Sequence, residues 1–169
     1  MTRPVVSAVE RLTSGPVDRI VSGRLSIDTS GPGFVDITRE VARFVAESGI
    51  GFGVVHLFCQ HTSASLTVQE NADPDVLHDL AAALDRLAPR HAPYRHGSEG
   101  PDDMPAHIRA MLTGAGLALP IAEGRLSLGT WQGLYLVEHR DRPHRRDIAV
   151  NLIGNISAGH GDSRRRRID

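Results

Sequence analysis

No lysine occurs in this 169-residue chain; all 19 basic side chains are arginines. That absence excludes Schiff-base aldolases and pyridoxal-phosphate enzymes, which need a lysine amine. It excludes P-loop NTPases as well, because their phosphate loop requires a lysine. Every fixed positive charge is therefore a guanidinium, which stays protonated and pairs bidentately with carboxylate or phosphate. Cysteine is almost as scarce. Cys59 stands alone, which excludes an intrachain disulfide and any multi-cysteine zinc site. With four Phe, two Tyr and one Trp, the chain has little to stack on bases. Its net charge of -1 gives no basic footprint, so no nucleic-acid partner is expected. No apolar run reaches membrane-span length, and the first residues lack the basic-then-apolar order of a signal peptide. The expectation is a cytoplasmic protein without a membrane partner.

The length fits one domain with a real core. Residues 1–16 are weakly patterned and read as an arm or edge strand, and residues 158–169, ending in SRRRRID, as a disordered charged tail. Between them, residues 17–157 carry the domain. Arg19 to Asp28 alternates as a strand and closes at the turn Ser30-Gly31-Pro32-Gly33. Asp36 is placed as an N-cap and Gly49 as a stop for a helix over Ile37 to Ser48. Gly51 to Cys59 and Ala64 to Gln69 read as strands. Asp73-Pro74 opens a helix whose stripe is Val76, Leu77, Leu80, Leu84 and Leu87. Arg90 to Asp103 is a long aperiodic loop, followed by a short helix over Pro105 to Leu112. Leu117 to Ala122, Leu126 to Leu128, Gly133 to Glu138 and Asp147 to Ile156 then read as strands. Helices and strands without a βαβ rhythm define an α+β domain, with a mixed, mainly antiparallel sheet packed with a few helices.

Four places gather polar residues that a plain core avoids. Gln60-His61-Thr62-Ser63 ends a strongly apolar strand, where hydroxyls and backbone amides can receive an anion. Glu70, Asp73 and Asp75 offer oxygen ligands to a hard cation; helix capping accounts for the aspartates but leaves Glu70 over. His96, Glu99, Asp102, Asp103 and His107 lie in a loop running into a helix, a donor set suited to a transition metal. Gly129-Thr130-Trp131-Gln132-Gly133 sets an indole between two glycines that let backbone approach a ligand. Cys59 ends an apolar run and reads as a buried structural thiol.

Taken in order, His61-Thr62-Ser63-Ala64-Ser65, Gln69 to Val76 (QENADPDV), Asp102-Asp103 with Ala106-His107-Ile108, and Leu126 to Gln132 (LSLGTWQ) with Glu138 resemble the hallmarks of the YjbQ-like family. Its members are also described as secondary thiamine-phosphate synthases. The resemblance covers Val17 to Ile153. It implies a compact α+β domain that forms homotrimers with sites near subunit contacts. It also implies an activity that joins a hydroxymethylpyrimidine diphosphate to a thiazole phosphate and releases pyrophosphate, secondary to another role. Carried over, His61, Glu70, His107, Trp131 and Gln132 hold the family's recurrent polar positions, and Asp75 and Asp102 match too. Pro105 departs from the pattern: many relatives place a histidine there, and His96 is the nearest spare imidazole.

On this reading His61, Glu70 and His107 are the catalytic candidates, and Thr62, Ser63, Trp131, Gln132 and Arg146 bind the small phosphorylated heterocyclic substrate. A divalent metal, magnesium or zinc, would sit on His96, Asp102 and His107. Two alternatives use the same residues: a zinc-dependent hydrolase of a small phosphate or ester, and a non-catalytic trimeric module binding a phosphorylated metabolite.

Overall fold

Strand alternation sets the architecture. The structure, a computed structural model, describes residues 14–156; the expectations for residues 1–13 and for the tail beyond Ile156 lie outside that range. The elements run β1 (Arg19–Thr29), β2 (Gly33–Asp36), α1 (Thr38–Ser48), β3 (Ile50–Cys59) and β4 (Ala64–Glu70). They continue with α2 (Pro74–Leu87), α3 (Asp103–Thr113), β5 (Gly116–Ala122), β6 (Arg125–Leu126), β7 (Gln132–Glu138) and β8 (His144–Ile156). Two sheets form, one ordered β1-β8-β3-β5-β6 and the other β2-β7-β4. Every pairing among the described residues is antiparallel. The α+β class thus takes the form of two antiparallel sheets where the sequence pointed to one.

In β3, Val55, Leu57 and Cys59 are buried while Val54, His56 and Phe58 are exposed, the period-two pattern of a sheet with one wet face. Ile148, Val150 and Leu152 do the same in β8. Leu66 of β4 and Leu134 and Leu136 of β7 meet them from the second sheet, and Ile37, Val41 and Val45 close the core from the α1 side. β7 is buried on both faces, because Tyr135 and Val137 also lose their exposure. On that side Phe34 of β2 meets the Tyr135 ring edge-on, centroids 6.1 Å apart.

Local chemistry fixes the ends. Asp36 is expected as the N-cap of α1, but the helix starts one residue later, with Ile37 at the cap position. Asp36 is the last residue of β2, and from there its Oδ1 accepts the Thr38 amide at 2.8 Å. The reading of residues 30–33 as a turn missed that strand, which is only four residues long and hides behind Pro32-Gly33. Gly49 ends α1 at φ 72°, a conformation that suits glycine. Asp73 caps α2 by accepting the Asp75 amide at 2.9 Å. No side chain of α2 is fully buried, so its apolar stripe lies half-covered on the surface. β8 begins at His144, three residues before the predicted strand, because Thr29 pairs with it. β6 shrinks to Arg125–Leu126.

Gly53 and Gly154 face each other across β3 and β8. A Cβ on Gly53 would stand 2.2 Å from the Ile153 carbonyl oxygen, and one on Gly154 2.2 Å from that of Phe52. Backbone on both sides leaves nothing to yield. Gly53→Ala and Gly154→Ala are each expected to cost at least about 1–3 kcal/mol and to lower Tm by several degrees in a thermal melt. Gly97→Ala, with open space around its Cβ, should melt with the wild type.

Candidate functional site

The apolar strand β3 delivers Gln60 to Ser63 to the edge of the core, and α3 runs past them. His107 of α3 lies 3.0 Å by its Nδ1 from the Thr62 carbonyl oxygen. A carbonyl only accepts, so Nδ1 carries the ring proton and the Nε2 lone pair is left free. That Nε2 lies 3.6 Å from Oδ2 of Asp103, one helical turn back. From the loop before α3, His96 brings its Nε2 to 2.7 Å from the same oxygen. One ligand atom each from His96, Asp103 and His107 lies within 4.8 Å of the other two. Asp103 is almost fully buried, and its Oδ1 takes a hydrogen bond from Arg140. Arg140 also donates to Asp102 Oδ2 at 2.8 Å and to the Glu99 carbonyl at 2.9 Å. One guanidinium thereby anchors the loop, the start of α3 and the end of β7.

His61 stands beside this cluster. Its Nε2 accepts the Asp147 amide at 2.8 Å, which leaves a neutral ring protonated at Nδ1. Burial, and then the nearby Arg146 charge, holds its pKa below the usual histidine range. His61 and His107 line one open cleft of about 560 Å³, whose apolar wall includes Phe58, Ala110 and Met111.

Behind the cleft lies a buried ion pair. Arg146 Nε donates to Glu138 Oε2 at 2.7 Å and its NH2 to Oε1 at 2.6 Å. Glu138 also accepts from the Thr29 hydroxyl at 2.8 Å and from the amides of His139 and Arg140 at 3.0 and 2.9 Å. Burial alone would raise the Glu138 pKa, but Arg146 and these donors outweigh it and hold it low. Next in sequence, His139 is buried with Nε2 2.8 Å from Ser65 Oγ. Burial, reinforced by the Arg109 charge, pushes its pKa down to about 4.

The residues singled out from the sequence divide into two groups. His61, Thr62 and His107 come together at the cleft, and His96 joins His107 through the Asp103 cluster. Asp102 does not join the donor cluster: its carboxylate is taken by Arg140 and by the Asp141 amide at 3.0 Å, and Asp103 stands in its place. Arg146 and Ser63 are not free to hold phosphate, since Arg146 is 3% exposed, pairs with Glu138 and reaches Ser63 Oγ at 3.2 Å. Glu70, Trp131 and Gln132 lie at the opposite end of β4 and β7, where Glu70 pairs with Gln132 in register. Six residues of strand put them roughly 20 Å from Ala64. Trp131 is 64% exposed there, the Gln132 Oε1 accepts the Gly129 amide, and Asp75 sits exposed in the first turn of α2. None of Glu70, Asp73 or Asp75 belongs to a ligand cluster among the described residues. From the sequence, Asp103 stands in the loop donor set but Asp102 is preferred to it as a metal ligand, and the role of Arg140 goes unread. The four-residue spacing of Asp103 and His107 on one helix face carried a signal for the first; nothing local marks Arg140.

These features define a class before any comparison: an α+β protein with a histidine-carboxylate cluster at a strand-helix junction. The family model described as UPF0047 protein YjbQ-like matches residues 23–155, and the chain belongs to that family. It is 49% identical over 133 residues to UPF0047 protein sll1880 of Synechocystis, covering 78% of this chain and 90% of that one. It is 42% identical over 131 residues to YjbQ of Escherichia coli O157:H7, covering 77% and 95%. The crystal structure of a YjbQ/UPF0047 protein from Clostridium acetobutylicum superposes with a TM-score of 0.71 at 42% identity, covering 76% of this chain and 98% of that one. A YjbQ-like protein of unknown function from Sulfolobus solfataricus gives 0.73 at 26%, covering 81% and 100%.

The low His139 pKa fixes a pH dependence. In the unfolded chain this ring protonates below about 6.5, whereas the folded ring stays neutral down to about 4, so the unfolded state binds more protons between those values. Stability therefore falls as pH drops through that window, by about 1.5 kcal/mol between pH 6.5 and 5, and levels off below about 4. Glu138 adds its own loss only at lower pH, below its unfolded value, as pH falls through its depressed folded pKa. Urea unfolding at pH 7, 6 and 5 is expected to show this slope in the wild type and a flatter one in His139→Gln.

Proposed function

We propose that the chain is a divalent-metal-dependent enzyme acting on a small phosphorylated substrate, and that its reaction is the thiamine-phosphate synthesis the family resemblance implies. The observation that carries this reading is the cluster of His96, Asp103 and His107 beside the His61 cleft. Two imidazoles and a carboxylate suit zinc better than magnesium. His107 is held in the tautomer that offers Nε2, a second contact of the kind that orients metal-binding histidines. A metal held there supplies charge stabilisation for a departing pyrophosphate. His61 presents an Nδ1–H donor to the substrate's oxygens, and the Phe58 and Met111 wall shelters its ring. The bond from the pyrimidine methylene to the diphosphate breaks as the thiazole nitrogen bonds to that carbon.

Glu70, Trp131 and Gln132 serve this cleft only from a neighbouring subunit, so the reading includes the homotrimer. Its support is a row of apolar residues that crosses the outer face of the larger sheet in register: Ile20, Ile153, Val54 and Pro120. Ile20 is 70% exposed, Ile153 46% and Val54 44%, a contiguous patch of the kind that marks association surfaces. A second reading, a zinc hydrolase of a small phosphate ester, is favoured by the same zinc-like donor set and by the engagement of Arg146 with Glu138, which leaves one cation fewer for a diphosphate.

Purified protein is expected to carry a stoichiometric transition metal by elemental analysis. It should release pyrophosphate only when both synthase substrates are present. His107→Ala and Asp103→Ala should lose the metal and at least about a hundredfold in rate. Cleavage of a phosphate ester without coupling would favour the hydrolase, and full activity in His107→Ala would remove the cluster from the chemistry. For the assembly, light scattering of Ile153→Arg should give one chain where the wild type gives three; an unchanged mass would move the interface elsewhere.

A further inference from the structure

A second cavity, of about 170 Å³, lies between α2 and the smaller sheet and shares no lining residue with the His61 cleft. Its walls are apolar at Phe34, Ala81, Leu84 and Val137, and its polar groups include Arg109, Arg90 and His139. Arg109 is 5% exposed. Its NH2 donates to the Ala88 carbonyl at 3.1 Å and lies 2.7 Å from Asp85 Oδ1. Its Nε is buried with no acceptor among the described residues. A buried N–H without a partner costs about as much as the hydrogen bond it forgoes, so this site calls for an oxygen that the fold does not supply.

The charges around the cavity state the sign of that oxygen's owner. The Arg109 side chain is 6% exposed while that of its partner Asp85 is 65% exposed. Arg90 and Asp141 pair at the surface, 36% and 40% exposed. Glu138, which also lines the cavity, is already neutralised by Arg146. Asp85 also lines the cavity, but its carboxylate is mostly in water, where solvent screens it, while the Arg109 guanidinium is inside, so the Arg109 end of the cavity is its positive end. The volume holds several heavy atoms rather than one water. α2, which forms the roof, has no fully buried side chain and is the element whose displacement admits a ligand at least cost.

We propose that this cavity is a binding site for a small carboxylate with a short apolar body, its oxygens on Arg109 and its carbons against Phe34, Leu84 and Val137. The site shares no lining residue with the cleft and takes its ligand without the metal cluster. Inorganic phosphate offers the same oxygens without the carbons, so the two separate in a titration.

The test is a thermal melt of the full chain in sodium butyrate, sodium phosphate and sodium chloride at equal ionic strength, with calorimetric titration of butyrate. Butyrate is expected to saturate and to raise Tm by roughly 5–10 °C at a hundredfold excess over Kd, with phosphate weaker and chloride without effect. Ala81→Leu, which fills the cavity and leaves Arg109 in place, should abolish the shift while its circular dichroism matches the wild type. Arg109→Lys, which keeps the charge and removes Nε, should weaken butyrate at least tenfold. Equal melting in butyrate and chloride, an unchanged shift in a folded Ala81→Leu, or a crystal soaked in butyrate that shows only water at Arg109 would each overturn the proposal.

Discussion

Glu138 and Arg146 hold the two sheets together at the point where the chemistry is arranged. Glu138 ends β7 in the smaller sheet, and Arg146 lies near the start of β8 in the larger. Through the same carboxylate Glu138 gathers Thr29 of β1 and the amides of His139 and Arg140, while Arg146 reaches back to Ser63. A buried ion pair adds little net stability compared with apolar side chains of like shape, yet losing one partner costs about 3–5 kcal/mol. Its effect is therefore geometric: it fixes where the β7–β8 turn, the β3–β4 junction and Arg140 stand. Arg140 in turn fixes the carboxylate of Asp103. The position of the donor cluster follows from a pair that touches none of its atoms.

The helices illustrate what local sequence carries. Asp36 before α1, Gly49 after it and Asp73-Pro74 before α2 act within a few residues of themselves, so their roles are readable without the fold. The strand β2 was not readable, because four residues behind Pro32-Gly33 give no period and the strand exists only through its pairing with β7. Cys59 illustrates the same rule from the core: an apolar run of strand length announced burial, and burial raises its thiol pKa above the ordinary value.

At the site the division is sharper. The histidines were singled out by type, and the fold groups His96 with His107 and His107 with His61. The choice between Asp102 and Asp103 was not legible, because adjacent residues on a helix differ in direction by about 100° and only the position of Arg140 decides which faces the imidazoles. Arg146 misled for a related reason. An arginine reads as a phosphate clamp until the other sheet reveals its carboxylate, eight residues earlier in the chain. Glu70 and Trp131 belong to a pattern along the sequence that one folded chain divides in space.

The strand order has a consequence for how this protein comes into being. β8 is the last described strand in the sequence, yet it lies between β1 and β3 and pairs along nearly its whole length with both. Arg19 meets Gly154 across that ladder, so the larger sheet closes only through contacts spanning most of the chain. Such non-local pairing slows folding. During synthesis the ribosome releases β1 and β3 long before the strand that joins them, and their facing edges stand open until β8 emerges. Nascent molecules on one message expose matching edges to each other for that interval. The same central strand that locks the finished sheet makes the growing chain dependent on protection until that strand has emerged.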